Sequence, residues 1–217
     1  MYKVREMIEE RHMADLEIQK ITMKDEETGI TFFIKPKTEH VYVTYSEDCS
    51  TKLSGEIIIK NNTDAIKWFI LDYIVGTELH TRWQGMIPAK GTWQESVDNW
   101  RAGFCSAPIS FKLHWEGTIY DEVSSRIDEG WFLILGTNTA GARINASSEY
   151  LLEQFPDKNL LVYTPRWPPI TVTLEAIAPF CHVFDYWEVN GTKYLENPVT
   201  ITMDSNYHAT AYFEPAS

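Results

Sequence analysis

The sequence predicts a mainly β fold: a β-sandwich followed by a small C-terminal β module, with one or two short helices. Three observations carry this. Apolar residues recur at every second position, as in Ile109, Phe111, Leu113 and Trp115, which places them on one face of a pleated strand. Turn residues break the chain at short intervals, at 25–29, 88–91, 190–191 and 204–206. Residues 66–76 and 130–136 are nearly continuous apolar runs. The first suits a central strand, and the second suits burial on both faces or at an interface. With 217 residues, 44% of them hydrophobic, the chain can bury one large or two small cores.

Residues 1–13 read as an N-terminal arm or short amphipathic helix, with Val4, Met7 and Ile8 on one side. From residue 14 the period is two. Leu16, Ile18 and Ile21 mark a first strand; residues 30–34 and 40–45 mark the next two, and 46–52 is a polar loop. Strands at 53–63, 66–76, 79–86, 91–97 and 108–116 follow. Residues 117–123 add an edge strand, and 130–136 complete a sandwich spanning 14–136. Residues 137–168 read as a linker. It holds a short helix at 147–155, capped by Ser147 and Ser148 and ended by Pro156, then a strand at 160–163 and the stiff segment Pro165-Arg166-Trp167-Pro168-Pro169. Residues 169–217 make the C-terminal module. Its Asn190-Gly191 pair is a strong hairpin signal, because both residues tolerate positive φ.

Within that module, the order aromatic strand, Asn190-Gly191 turn, Asn197-Pro198-Val199-Thr200-Ile201-Thr202-Met203-Asp204 and Ala209-Thr210-Ala211-Tyr212-Phe213 resembles the divergent InlB B-repeat. The resemblance implies a spacer or binding module of a surface protein, with no catalytic role. Residues 14–136 resemble an immunoglobulin-like module of the CARDB (cell-adhesion-related) type. The likeness rests on Ala14-Asp15-Leu16-Glu17-Ile18, Lys60-Asn61-Asn62-Thr63, Phe69-Ile70-Leu71-Asp72-Tyr73-Ile74-Val75-Gly76 and Ile87-Pro88-Ala89-Lys90-Gly91-Thr92. It departs at 108–135, where extra strand-like residues appear, and at the loop holding Trp100 and Cys105.

Formal net charge is −12, which repels phosphate backbones and anionic lipid and argues against nucleic acid as partner. No apolar run is long enough to cross a bilayer, so no membrane insertion is expected. Residues 1–13 contain no apolar stretch of a secretory signal. The three cysteines, Cys49, Cys105 and Cys181, have no metal-type spacing; a Cys49–Cys105 bridge and free buried thiols both fit. The six histidines are scattered, and His114 falls on the face of its strand opposite Phe111 and Leu113, toward solvent. No nucleophile elbow, metalloprotease, phosphate-loop or dinucleotide motif occurs. Carboxylates such as Glu56, Asp72, Glu116 and Asp121 are not spaced as a glycosidase pair. Asp25-Glu26-Glu27 and Asp128-Glu129 read as solvated turns in preference to Ca²⁺ sites. No catalytic, cofactor-binding or metal residue is therefore assigned.

What remains is the aromatic content. Eight Trp in 217 residues serve either as core fillers or as contacts, because indole combines large apolar area with one polar handle. Trp83, Trp93, Trp100, Trp167, Tyr186 and Trp187 are the candidate interface or ligand contacts. The expectation is a non-enzymatic display protein of a virion, such as a turret, spike or capsid-associated subunit, assembled in the host cytoplasm. It would contact copies of itself or other structural proteins. The phrasing of the tail points to an archaeal virus. A cell-surface adhesion or carbohydrate-binding protein that meets host glycans is the alternative.

Overall fold

The computed structural model describes residues 14–100 and 105–216, so the expected arm at 1–13 lies outside the described residues. Strands follow one another in chain order. The first seven are β1 (Leu16–Asp25), β2 (Thr31–Lys35), β3 (Val41–Thr44), β4 (Leu53–Asn61), β5 (Lys67–Val75), β6 (Glu78–Ile87) and β7 (Thr92–Val97). Then come β8 (Ala107–Trp115), β9 (Thr118–Thr137), β10 (Arg143–Ala146), β11 (Leu151–Phe155) and β12 (Leu160–Tyr163). The last five are β13 (Ile170–Ile177), β14 (His182–Val189), β15 (Thr192–Tyr194), β16 (Val199–Met203) and β17 (Tyr207–Pro215). The mainly β, sandwich-type expectation holds.

The first sandwich packs sheet β2-β1-β4-β7 over sheet β9-β8-β5-β6, with β3 running parallel to the middle of β9. Its core joins Leu16, Ile18, Ile57 and Ile59 to Phe69, Leu71, Phe111 and Leu113. Alternation survives a bulge in β1. Leu16 and Ile18 are buried before it and Ile21 and Met23 after it, because the extra residue between Ile18 and Lys20 shifts the phase by one. Strand β5 is central, as expected, between β6 and β8. A disulfide joins Cys49 to Cys105, while Cys181 is free and exposed.

The second sandwich sets β10-β13-β16 against β15-β14-β17-β9. Asn190 and Gly191 both take positive φ in the tight turn between β14 and β15. Strand β9 belongs to both sandwiches. Its first half pairs with β8, and its second half pairs with β12 and, in parallel, with β17. Its side chains then alternate between two cores. Phe132 enters the first core with Leu160 and Val162 of β12, whereas Trp131 and Leu133 enter the second with Leu161 and Tyr163. Strands β9 and β12 thus form one wall covered on both faces, which is why residues 130–136 carry no polar alternation. Gly130 is the point of closest approach in that wall: a Cβ there would stand 2.3 Å from Val162 Cγ1.

Two expectations are corrected. Residues 147–155 are not a helix. Residues 151–155 are strand β11, paired with β12, and the helical structure here is one 3₁₀ turn at Pro156–Lys158. Leu151 and Phe155 are four apart, a spacing that fits either period. Pairing decides, and a bulge between Leu151 and Glu153 sends Leu151 to the second core and Phe155 to the first. Residues 118–123 form the expected edge: they open the 20-residue β9 and, among the described residues, pair with β8 alone, before β3, β12 and β17 join further along the strand. The stretch read as a linker, 137–168, carries β10, β11 and β12, which pair with strands of both sandwiches.

A buried polar chain ties the two sandwiches together. The Asp25 carboxylate is fully buried. It accepts from Thr28 N–H at 2.9 Å, Thr28 Oγ1 at 2.6 Å, Thr44 N–H at 3.1 Å and Thr44 Oγ1 at 2.9 Å. Thr44 Oγ1 in turn accepts from Asn206 Nδ2 at 2.8 Å, and Asn206 Oδ1 accepts from the Phe132 N–H at 2.9 Å. The acidic turn at 25–27 is therefore built around a carboxylate already filled with donors from its own chain.

Candidate functional site

Where the two sandwiches meet, four segments converge on a cleft of about 450 Å³. The end of β3 and its following loop supply Tyr45 and Glu47; β9 supplies Trp131; the segment after β12 supplies Pro165, Arg166 and Trp167; the β16–β17 turn supplies Asp204. The walls are fixed by backbone. The Tyr45 N–H donates to Gly130 O at 3.1 Å, next to Trp131, and the Asn206 bonds hold the Asp204 turn against Thr44. Tyr45 and Trp131 stand edge to face, with centroids 6.5 Å apart and planes at 86°. Trp167 is 85% exposed at the rim. The Arg166 guanidinium lies 4.3 Å over the Tyr150 ring and also lines a neighbouring cavity of about 260 Å³ with Glu149, Pro168 and Pro169.

The other expected contacts scatter. Trp100 is fully buried, edge-on to Tyr73 and Phe111 in the first core, and Trp187 is fully buried in the second. Both are core fillers in this chain. Among the described residues, their indole N–H groups have no hydrogen-bond partner. Trp83 and Trp93 are half-buried against the first core, Trp83 beside Trp100 and Trp93 5.0 Å from Phe69. Tyr186 lies on the outer face of the C-terminal sheet. It stacks on Tyr212 at 4.5 Å, with Lys193 Nζ 3.6 Å from its ring centre.

Three aromatics outside the expected set matter more. Trp131 floors the cleft. Trp68, on the outer face of the β6-β5-β8-β9 sheet, stacks on Trp115 at 5.7 Å, so Trp115 at the end of β8 does not join Ile109, Phe111 and Leu113 in the core as alternation predicts. On that face Trp68 is 49%, Met86 53% and Ile119 51% exposed, with Met86 directly opposite Trp68 across the β5–β6 ladder. Parity reveals Trp68: it shares the even positions of β5 with Asp72, while Phe69, Leu71 and Tyr73 point inward. The Asp72 carboxylate accepts from Arg82 Nε at 2.6 Å and Nη2 at 2.9 Å, and meets His114 Nε2 at 2.9 Å. His114, expected toward solvent, is half-buried because it pairs with this carboxylate. Hydrogen bonds from Arg82, then from His114, outweigh burial and hold the Asp72 carboxyl below the usual carboxylate range.

No family model matches the chain, and no curated protein matches it. Among the described residues, the metal-type donors that converge are Cys49 Sγ, Cys105 Sγ and the Glu129 carboxylate, and the two sulfurs are joined in the disulfide. No helix among the described residues is long and apolar enough to cross a membrane.

Proposed function

We propose that the chain is a non-enzymatic structural subunit that works through protein–protein contacts with copies of itself or with other structural proteins. Its setting in this reading is a virion surface, as a turret, spike or capsid-associated component. The observation that carries the proposal is the outer sheet face on which Trp68, Met86 and Ile119 are exposed, with the half-buried Trp115 stacked on Trp68. Contiguous exposed apolar area of this kind marks contact surfaces, and Trp and Met are enriched at them. The polar groups within the face suit an interface too. Asp72 is saturated by Arg82 and His114, so a covering partner would not strand its charge. The wall common to both sandwiches supports the same reading, since a stiff body holds its contact faces at fixed spacing. The resemblance to cell-adhesion-related and InlB-type modules points the same way.

Light scattering on the purified chain across concentration tests this. A defined oligomer that Trp68→Ala dissociates, without a change in the chain's circular dichroism, is the expected result. A chain that stays monomeric at millimolar concentration and is absent from purified virus particles by mass spectrometry would overturn the proposal.

A further inference from the structure

We infer that the cleft between the sandwiches binds a neutral saccharide, with Trp167 as its stacking platform. The inference stands apart from the assembly proposed above, because none of its residues lies on the Trp68 face. Trp167 is 85% exposed, a placement that burial alone does not explain in a chain that encloses Trp100 and Trp187 completely. It faces no empty surface: Tyr45 and Trp131 form a perpendicular aromatic corner in the same cleft. A pyranose ring has one face of polarised C–H groups and an equator of hydroxyls. The electron-rich faces of indole and phenol attract the first. Carboxylates and guanidinium bind the second through paired, charge-assisted hydrogen bonds. Glu47, Asp204 and Arg166 supply those groups around the aromatic corner.

The charges select the ligand class. Two carboxylates against one guanidinium leave the cleft net negative, on a chain of net charge −12, which disfavours sulfated, phosphorylated or sialylated sugars. The same net negative charge suits a quaternary ammonium, the other ligand that aromatic corners accept, so that cation is a separate arm of the test. Size is consistent with more than one sugar unit: the cleft of about 450 Å³ adjoins the cavity of about 260 Å³, with Arg166 lining both. The walls need no rearrangement, since Tyr45, Trp131 and Asp204 are fixed through the Gly130 and Asn206 bonds.

The test is a glycan array with the intact chain. Calorimetric titration then follows with the best neutral oligosaccharide and, separately, with tetramethylammonium. Binding of a neutral glycan is expected, reduced at least about tenfold by Trp167→Ala, which removes the stacking face, and by Asp204→Asn, which removes a charge-assisted hydrogen bond. Both side chains are exposed, so melting temperature and oligomer mass should not move. Lack of binding to any neutral glycan at millimolar concentration overturns the inference. So does glycan binding that both variants leave intact, or tetramethylammonium binding that Trp167→Ala abolishes while neutral glycans fail.

Discussion

Replacing Asp25 by Ala removes the acceptor at the centre of the polar chain that joins the sandwiches. Four donors lose their partner, but unequally. Thr28 is half-buried, so water can reach its two donors. Thr44 is buried, so its N–H and hydroxyl are left without an acceptor. At about 1–3 kcal/mol for each buried unsatisfied donor, the two Thr44 groups put the cost at about 4 kcal/mol. In a domain of this size that is a fall in melting temperature of about 8–16 °C. Asn206→Ala strands the Phe132 N–H and costs about 2 kcal/mol by the same reasoning. The two sites meet at Thr44 Oγ1, which donates to Asp25 and accepts from Asn206, so the double variant should show about 1 kcal/mol of coupling. Equilibrium urea unfolding, followed by tryptophan fluorescence, measures all three. A loss below about 1 kcal/mol for Asp25→Ala, or strict additivity with Asn206→Ala, would refute the reasoning.

Gly130→Ala drives a methyl to 2.3 Å from Val162 Cγ1 inside a wall packed on both sides, and should cost about 2–3 kcal/mol in urea unfolding, partly restored by Val162→Ala. Reducing the Cys49–Cys105 bridge frees a loop 56 residues long and should lower stability by about 4 kcal/mol, seen as an earlier urea midpoint in dithiothreitol. The Asp72 carboxyl titrates below its unfolded value, so its contribution is present above about pH 4 and lost as pH falls through the folded value. The urea midpoints of the wild type and Asp72→Asn should therefore converge as pH falls below about 4. Burial pushes the Tyr163 phenol up to about 12, so its share of stability holds below about pH 10 and fades toward pH 12. The alkaline absorbance titration should show this tyrosine ionising late.

Strands were legible wherever one face meets water, because alternation then writes the burial pattern into the sequence. Residues 108–116 and the C-terminal module are examples. Legibility failed where a bulge or a second core intervened. Leu151 and Phe155 serve different cores across a bulge, and their spacing of four reads equally well as a helix. Strand β9 was divided because its middle, residues 124–129, is polar at every position except the buried Ile127, while its apolar end is enclosed twice over. For the site, Trp167 was legible as a candidate. Its partners Tyr45, Trp131 and Asp204 come from segments far apart in the chain, and only the fold brings them together. Trp100 and Trp187 misled for a chemical reason: composition does not distinguish an indole that fills a core from one that meets a partner.

The wall formed by β9 and β12 has a consequence for how such a chain can evolve. Tandem β domains that hang from a flexible string can be duplicated, swapped or inserted by recombination, since each piece carries its whole interior with it. Here a cut after residue 136 or before 169 takes away half of somebody else's interior: Leu161 and Tyr163 would leave the second core, and Leu160 and Val162 the first. The C-terminal portion is thus no longer exchangeable between genes. Any lineage carrying this arrangement inherits both halves together and must vary at its surface.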